Sequence, residues 1–369
     1  MLELLAPAGN LDAVIAAVQN GADAVYMGFG DGFNARRSAD NFTRESFAKA
    51  VRYCHIRGCK VYVTLNTLVG DREMESAAAL AQQASDAGAD AILVQDLGLA
   101  RVLRDALPDI PLHASTQMSI HNLAGVEAAA EMGITRAVLS RELSLEQIRF
   151  ISQHVSIETE VFVHGALCFC YSGQCYMSAL IGRRSGNRGA CAQPCRWNYA
   201  LMEEKRPGEY FPVEEDARGT YLYNSKDMCM IEHVPELIKA GITSFKIEGR
   251  NKTAYYAACV TGAYRAAIDT YKKDPENFVL PQFCRDEVNK VSHREYYTGF
   301  YFGNQENGQH YGDSQYIREY EVVGMPVECD DSGKAVFALK NRFFDGEELE
   351  LIQPGQAPYV FRAENVTDD

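Results

Sequence analysis

Five of the chain's eleven cysteines lie between residues 168 and 195: Cys168, Cys170, Cys175, Cys191 and Cys195. Their spacing runs Cys168-x6-Cys175, Cys175-x15-Cys191 and Cys191-x3-Cys195. Zinc ribbons and fingers favour pairs with two to four residues between ligands, and only the last pair fits. Iron–sulfur clusters tolerate wider spacing, since they need one thiolate at each of four corners. A [4Fe–4S] cluster is therefore the first expectation and zinc the second, with a purely structural metal as the plain alternative. Cys170 is the least apt ligand, and Cys229, in NSKDMCM, is the candidate from outside the cluster. The scattered Cys54, Cys59, Cys259, Cys284 and Cys329 read as small hydrophobes. The same segment carries Arg183, Arg184, Arg188 and Arg196 among Tyr171, Tyr176 and Trp197. Arginines interleaved with aromatics suit single-stranded RNA, where bases stack and phosphates pair. The plain reading is a solvated loop whose arginines neutralise thiolates.

These residues need a scaffold. NGADAVYMG (20–28), AGADAILVQD (87–96), MGITRAVLS (132–140) and AGITSFKIEG (240–249) repeat one shape: a glycine that closes a helix, then a short apolar run. Apolar runs at 2–9, 60–67, 110–117 and 157–165 lie between them, and amphipathic helices alternate with all eight. Eight βα units predict an α/β fold: a (β/α)8 TIM-like barrel over residues 1–275. GFGDGF (28–33) lacks dinucleotide spacing and does not support an open sheet. Ordinary βα loops are short, so residues 165–224 form a long Cys-rich insertion after strand seven, placed where barrels carry function. Residues 276–318 read as a linker or helical connection, and 319–369 as a small C-terminal β domain. The sequence stops without a terminating signal, which leaves room for more of that domain.

Barrel chemistry sits at the C-terminal strand ends. The polar candidates there are Asn66, Gln95, Asp96, His113, Gln117, Arg141, Glu142, His164, Lys246, Glu248 and Arg250. Period two puts Lys246 with Glu248, and Glu160 and Phe162 with His164, on common faces. We expect His164, Lys246, Glu248 and Arg250 to be catalytic, and Arg250 and Arg141 to suit a dicarboxylate. A peptidase finds little support, since HExxH and G-x-S-x-G are absent. Ser46 and Lys49 lie in a helix, which leaves Cys168 with His164 as the best nucleophile–base pair. A net charge of −14 excludes a chain that coats nucleic acid indiscriminately. There is no long apolar run and no export signal, so no membrane association and a reducing, cytoplasmic location are expected.

EVFVHGALCFCYSGQCYMS (160–178) resembles the signature of the U32 peptidase family, the collagenase-like group. Glu160, Phe162, Gly165, Ala166, Cys168, Gly173, Cys175 and Ser178 match it, and LLAPAGN, RSGNRGACAQPCR and SFKIEGR are also similar. The resemblance implies a barrel followed by a small β domain. It implies either proteolysis, the family's founding description, or oxygen-independent hydroxylation. The hydroxylating members modify tRNA wobble uridine, a cytidine of 23S ribosomal RNA, or a ubiquinone precursor. CAQPCR is more like the RNA-modifying members, for which prephenate is the implied hydroxyl donor. The resemblance assigns Cys168, Cys175, Cys191 and Cys195 to a [4Fe–4S] cluster and leaves room for a paralogous family member as partner. The expectation is an RNA hydroxylase, with a collagenase-like peptidase and a non-catalytic zinc protein as alternatives.

Overall fold

The computed structural model describes residues 2–30, 32–35, 41–168, 170–197, 200–202, 210–212, 225–303 and 316–366. Much of the expected 165–224 insertion beyond Trp197 lies outside the described residues. Seven parallel strands run in sequence order: β1 Glu3–Pro7, β2 Ala24–Met27, β3 Lys60–Leu65, β4 Ala91–Val94, β5 Leu112–Ala114, β6 Ile134–Val138 and β7 Glu158–Ala166. The short hairpin strands β8 Ala200–Met202 and β9 Tyr210–Pro212 follow, then β10 Asp227–Cys229 and β11 Ser244–Ile247. β11 pairs in parallel with both β7 and β1, and this closes the barrel. The structure is the (β/α)8 barrel read from the repeat.

The helices wrap the outside: α1 Leu11–Gln19, α2 Arg44–His55, α3 Met74–Asp86, α4 Leu97–Ala106, α5 Leu123–Glu131 and α6 Leu145–His154. A short α7, Met177–Leu180, lies in the cysteine loop, and α8 Val234–Lys239, α9 Ala254–Lys273 and α10 Gln282–Lys290 complete the set. Their starts are written locally. The side chains of Asn10, Thr43, Asp96, Asn122, Ser144 and Thr253 each accept a hydrogen bond from a first-turn backbone amide. The repeated glycines Gly21, Gly88, Gly133 and Gly241 all have positive φ, the left-handed geometry that lets the chain leave a helix and enter a strand.

Alternation along the strands builds two layers of core. Leu5, Ala24, Tyr26, Tyr62, Ala91, Leu93 and Val138 fill the barrel interior, and Leu4, Val25, Val61, Ile92 and Ile247 face the helices. β10 runs antiparallel to the end of β7, and β12, Tyr296–Tyr297, adds beside it. Three-residue strands give almost no periodic signal, so this extension was not legible in the sequence. Beyond it lie two antiparallel pairs, β13 Gly324–Cys329 with β14 Ala335–Leu339, and β15 Glu348–Leu351 with β16 Tyr359–Arg362. Lys290 Nζ reaches Glu350 at 2.5 Å and ties α10 to β15. Among the described residues, no helix is long and apolar enough to cross a membrane.

Candidate active site

The bottom of the barrel is ionic. Arg136 Nη1 lies 2.5 Å from Glu3 and 3.2 Å from Glu160, and its Nη2 lies 2.6 Å from Glu158. Lys246 Nζ donates to the other Glu160 oxygen at 2.7 Å, while Tyr62 and Ser244 donate to Glu3 at 2.6 and 3.0 Å. Burial alone would raise the Glu3 pKa, but the Arg136 guanidinium holds it below the ordinary value. Lys246, expected among the rim residues, belongs to this network. Its ammonium points down the barrel into this network, over the Tyr26 and Phe162 rings, and away from the rim. Strand parity placed it on the inner face correctly, but depth along the strand is set by the register, which pairs Lys246 with Leu5 and Phe162.

His164 lies in an aromatic enclosure. Its ring centroid lies 5.2–6.0 Å from those of Tyr256, Tyr264 and Tyr296, and it contacts the hydroxyls of Tyr264 at 3.5 Å and Tyr296 at 3.3 Å. The cause is a β-bulge: Lys246 pairs with Phe162, but Ile247 pairs with His164. The extra residue breaks strict alternation and seats the imidazole with the tyrosines of α9 and β12. Burial, reinforced by His293 and Lys252, pulls its pKa down to about 3, so the ring is neutral. These tyrosine hydroxyls are polar partners of the ring, and they leave it enclosed rather than open as a base.

The mouth is polar. Arg250 is buried and donates to Thr64 Oγ1 at 2.8 Å and to Asn34 Oδ1 at 3.0 Å. Gly28 makes room for it, since a Cβ there would stand 3.1 Å from Arg250 Nη1. Glu248 is half-buried at the rim and accepts from the Tyr26 hydroxyl at 3.3 Å. Asn66 donates to Ser115 at 3.1 Å, and the buried Gln95 has a side-chain oxygen with no hydrogen-bond partner.

The cysteine loop is tied to this mouth. Arg141, just past β6, donates to Ser172 at 3.3 Å. Burial disfavours its charge, but Cys168 first, then Glu142 and Glu248, raise its pKa above the ordinary value. Ser172 donates through its backbone amide and hydroxyl to Glu142 at 2.7 and 3.1 Å, and His121 Nε2 lies 3.2 Å from the second Glu142 oxygen without the geometry of a hydrogen bond. Gly173 packs so closely on the Gln117 carbonyl that a Cβ would lie 2.1 Å from the oxygen. Sequence reasoning named Glu142 and Gln117 as rim groups but missed Ser172 and His121, whose partners are distant in sequence.

The thiols gather in one loop. Burial, then Cys168, Cys191 and Cys175, push the Cys195 thiol up to about 11, with Arg196 opposing. Burial and Cys175, Cys168 and Cys195 push Cys170 up to about 12. Four soft sulfur donors in one loop are the right chemistry for iron or zinc. Among the described residues, no group of three His, Cys, Asp or Glu side chains stands as a closed ligand cage. Cys170 interacts with the other thiols of the loop, whereas Cys229 is half-buried against Tyr264 and Ile231.

Comparison with known proteins gives a consistent picture. A family description, peptidase family U32, matches residues 9–311, and the peptidase family U32 C-terminal domain matches residues 318–369. The tRNA hydroxylation protein P1 of Bacillus subtilis is 37% identical over all of this chain and 87% of its own length. The 23S rRNA 5-hydroxycytidine C2501 synthase of Escherichia coli is 42% identical over 88% of this chain and 48% of its own. A collagenase of Porphyromonas gingivalis is 30% identical over 99% of this chain and 89% of its own.

Proposed function

This chain belongs to peptidase family U32, and from that membership we propose that it is a cytoplasmic enzyme that hydroxylates a pyrimidine in RNA, in tRNA or 23S ribosomal RNA. The observation that carries the reading is the joint between loop and barrel: Arg141 links the Cys168 thiol to a mouth that also presents Glu248. A centre that acts on a base needs that base delivered out of a stack. The exposed Tyr171, Tyr176 and Trp197, with Arg183 and Arg184 on the same loop, offer stacking faces and cations for it.

In this reading Cys168, Cys175, Cys191 and Cys195 hold a [4Fe–4S] cluster. When bound, the cluster supplies electron-transfer and Lewis-acid chemistry beside the mouth. Arg141 sits between that centre and Glu248, where it can orient an anionic hydroxyl donor such as prephenate. Arg250 stiffens the rim through Thr64 and Asn34, and Glu248 is the carboxylate placed to hold a proton there. A paralogous family member is the protein partner in this reading. The collagenase relative favours proteolysis by name, but His164, the histidine within the cysteine signature, is enclosed by tyrosines.

Nucleoside mass spectrometry of tRNA and ribosomal RNA from a deletion strain tests the activity. Loss of one 5-hydroxypyrimidine, restored by wild-type protein, is expected; unchanged RNA in a strain also lacking its paralogues would overturn the reading. Iron content after anaerobic purification tests the cluster. Serine at any of the four cysteines should abolish iron, whereas Cys54→Ser and Cys284→Ser should retain it. Full iron in Cys191→Ser would move that ligand elsewhere.

A further inference from the structure

Beside the cysteine loop, three cations converge on one aromatic ring. Lys252 Nζ lies 4.4 Å and Arg294 Cζ 4.5 Å from the ring centroid of Tyr316, and Arg196 Nη1 donates to the Tyr316 hydroxyl at 3.1 Å. They come from three separate places: the end of the cysteine loop, the turn before α9 and the segment before β12. Arg294 is only 4% exposed, so it is a built element of the site and not a solvated surface arginine. Lys252 is held by the Ser292 carbonyl at 2.7 Å, and the Tyr316 ring keeps 40% of its surface open.

Among the described residues, the acids beside these cations include Asp227, which accepts the Arg294 backbone amide at 3.2 Å, and Glu248, which lies within electrostatic reach of Lys252. Burial, with Arg196 and Arg294 adding to it, disfavours the charged form of Lys252, and Arg294 is weakened in the same way by burial and Arg196. A phosphate offers acceptors to Arg and Lys together, and an adjoining base can stack on the open tyrosine face.

We propose that Arg196, Lys252 and Arg294, with the Tyr316 ring, form a phosphate-binding subsite that takes the RNA backbone phosphate beside the nucleotide entering the barrel mouth. This rests on the RNA reading above. Lys252 closely follows the rim residues Glu248 and Arg250, and Arg196, which donates to Tyr316, directly follows Cys195, so the subsite lies beside both the mouth and the loop.

The test compares wild-type holoprotein with Arg196→Gln/Lys252→Gln, a pair that spares the buried Arg294. Binding of a short single-stranded RNA is followed by fluorescence anisotropy across a salt series. Losing these contacts should weaken binding about tenfold. The slope of log affinity against log salt should flatten by about 0.7 for each phosphate no longer held. RNAs with a single neutral methylphosphonate linkage, moved along the strand, should show one position that weakens wild type by the same factor and leaves the variant unaffected. If wild type binds RNA and the variant matches it in affinity and slope, the subsite is wrong while the RNA reading stands. Iron lost from the variant at unchanged RNA affinity would show that the cations serve the thiolates, and would also overturn it. Should wild type bind no RNA, the RNA reading falls, and inorganic phosphate judges the subsite alone. Thermal stabilisation of wild type but not the variant would keep a phosphate site for small molecules and reject the backbone assignment; no stabilisation rejects both.

Discussion

His164 offers a direct measurement of whether the bulge in β7 has taken this histidine out of the chemistry. In the folded protein its pKa is about 3, lowered first by burial, whereas an unfolded histidine titrates near 6.5. Between those values the unfolded chain binds the extra proton, so stability rises with pH and is lost as pH falls below about 6.5. The difference saturates above that value; from pH 7.5 to pH 5.0 it amounts to about 2 kcal/mol from this one ring. His164→Phe removes the term. The variant keeps the neighbours satisfied, because Tyr264 still donates to the Val163 carbonyl and Tyr296 to the Val288 carbonyl, both at 2.7 Å. Urea unfolding at pH 7.5 and pH 5.0 should show wild type losing about 2 kcal/mol more than His164→Phe over that interval. His113 is also buried with a lowered pKa, but it is common to both proteins and cancels. Parallel pH dependences would refute the placement, as would an imidazole that titrates near 6.5 in the folded protein. RNA modification by the folded variant should persist; its complete loss would return His164 to the catalytic set.

The barrel floor, the loop joint and the RNA surface make separate predictions. Glu160→Ala strands the buried Lys246, while Arg136 keeps Glu3 and Glu158, and should cost about 3–5 kcal/mol in urea unfolding, whereas Lys246→Met leaves Glu160 paired with Arg136 and should cost clearly less. Equal losses would show that Lys246 and not Arg136 is the essential partner. Gly173→Ala combines φ +74° with a Cβ driven onto the Gln117 carbonyl, so it should reduce bound iron without touching a thiol. Gly333→Ala, at φ +85° in open space, is its control and should leave iron unchanged. Arg183→Glu/Arg184→Glu should weaken RNA binding and flatten its salt dependence at constant iron. Arg188 makes a poorer probe, because it is ion-paired to Glu73 and donates to the Leu68 carbonyl.

The barrel was legible because its signals are local and repeated. A glycine at each helix end, side-chain caps and continuous apolar strands recur with every βα unit, and each records a local backbone requirement. The cysteine segment was legible by composition, since no ordinary loop concentrates thiols and arginines in this way. What escaped depends on register. One inserted residue in β7 moves His164 from the expected inner face to the tyrosines of α9, and nothing in EVFVHGALC marks the bulge. Lys246 looked like a rim residue because parity gives the face of a side chain but not its depth. Arg294 and Tyr316 could not be joined to Arg196 and Lys252 from sequence, since the segments that carry them meet only in the folded chain.

The two rim arginines, which sequence alone could not tell apart, are separated by their surroundings. Arg250 is enclosed, and both terminal nitrogens are engaged, by Thr64 on one strand and Asn34 on a neighbouring loop. Its charge is spent on joining parts of the rim, so replacing it should act first on the shape of the mouth. Arg141 is held by its Nε to Ser172, with its guanidinium over the Phe162 ring at 5.7 Å and its charge favoured by Cys168. Arg141 therefore lies within electrostatic reach of both Cys168 and Glu248. A donor carboxylate bound by Arg141 would sense the state of the cysteine loop, whereas one bound by Arg250 would not. In the proposed reading, a cluster held by these thiols would be coupled to a bound donor through Arg141, which joins loop and barrel.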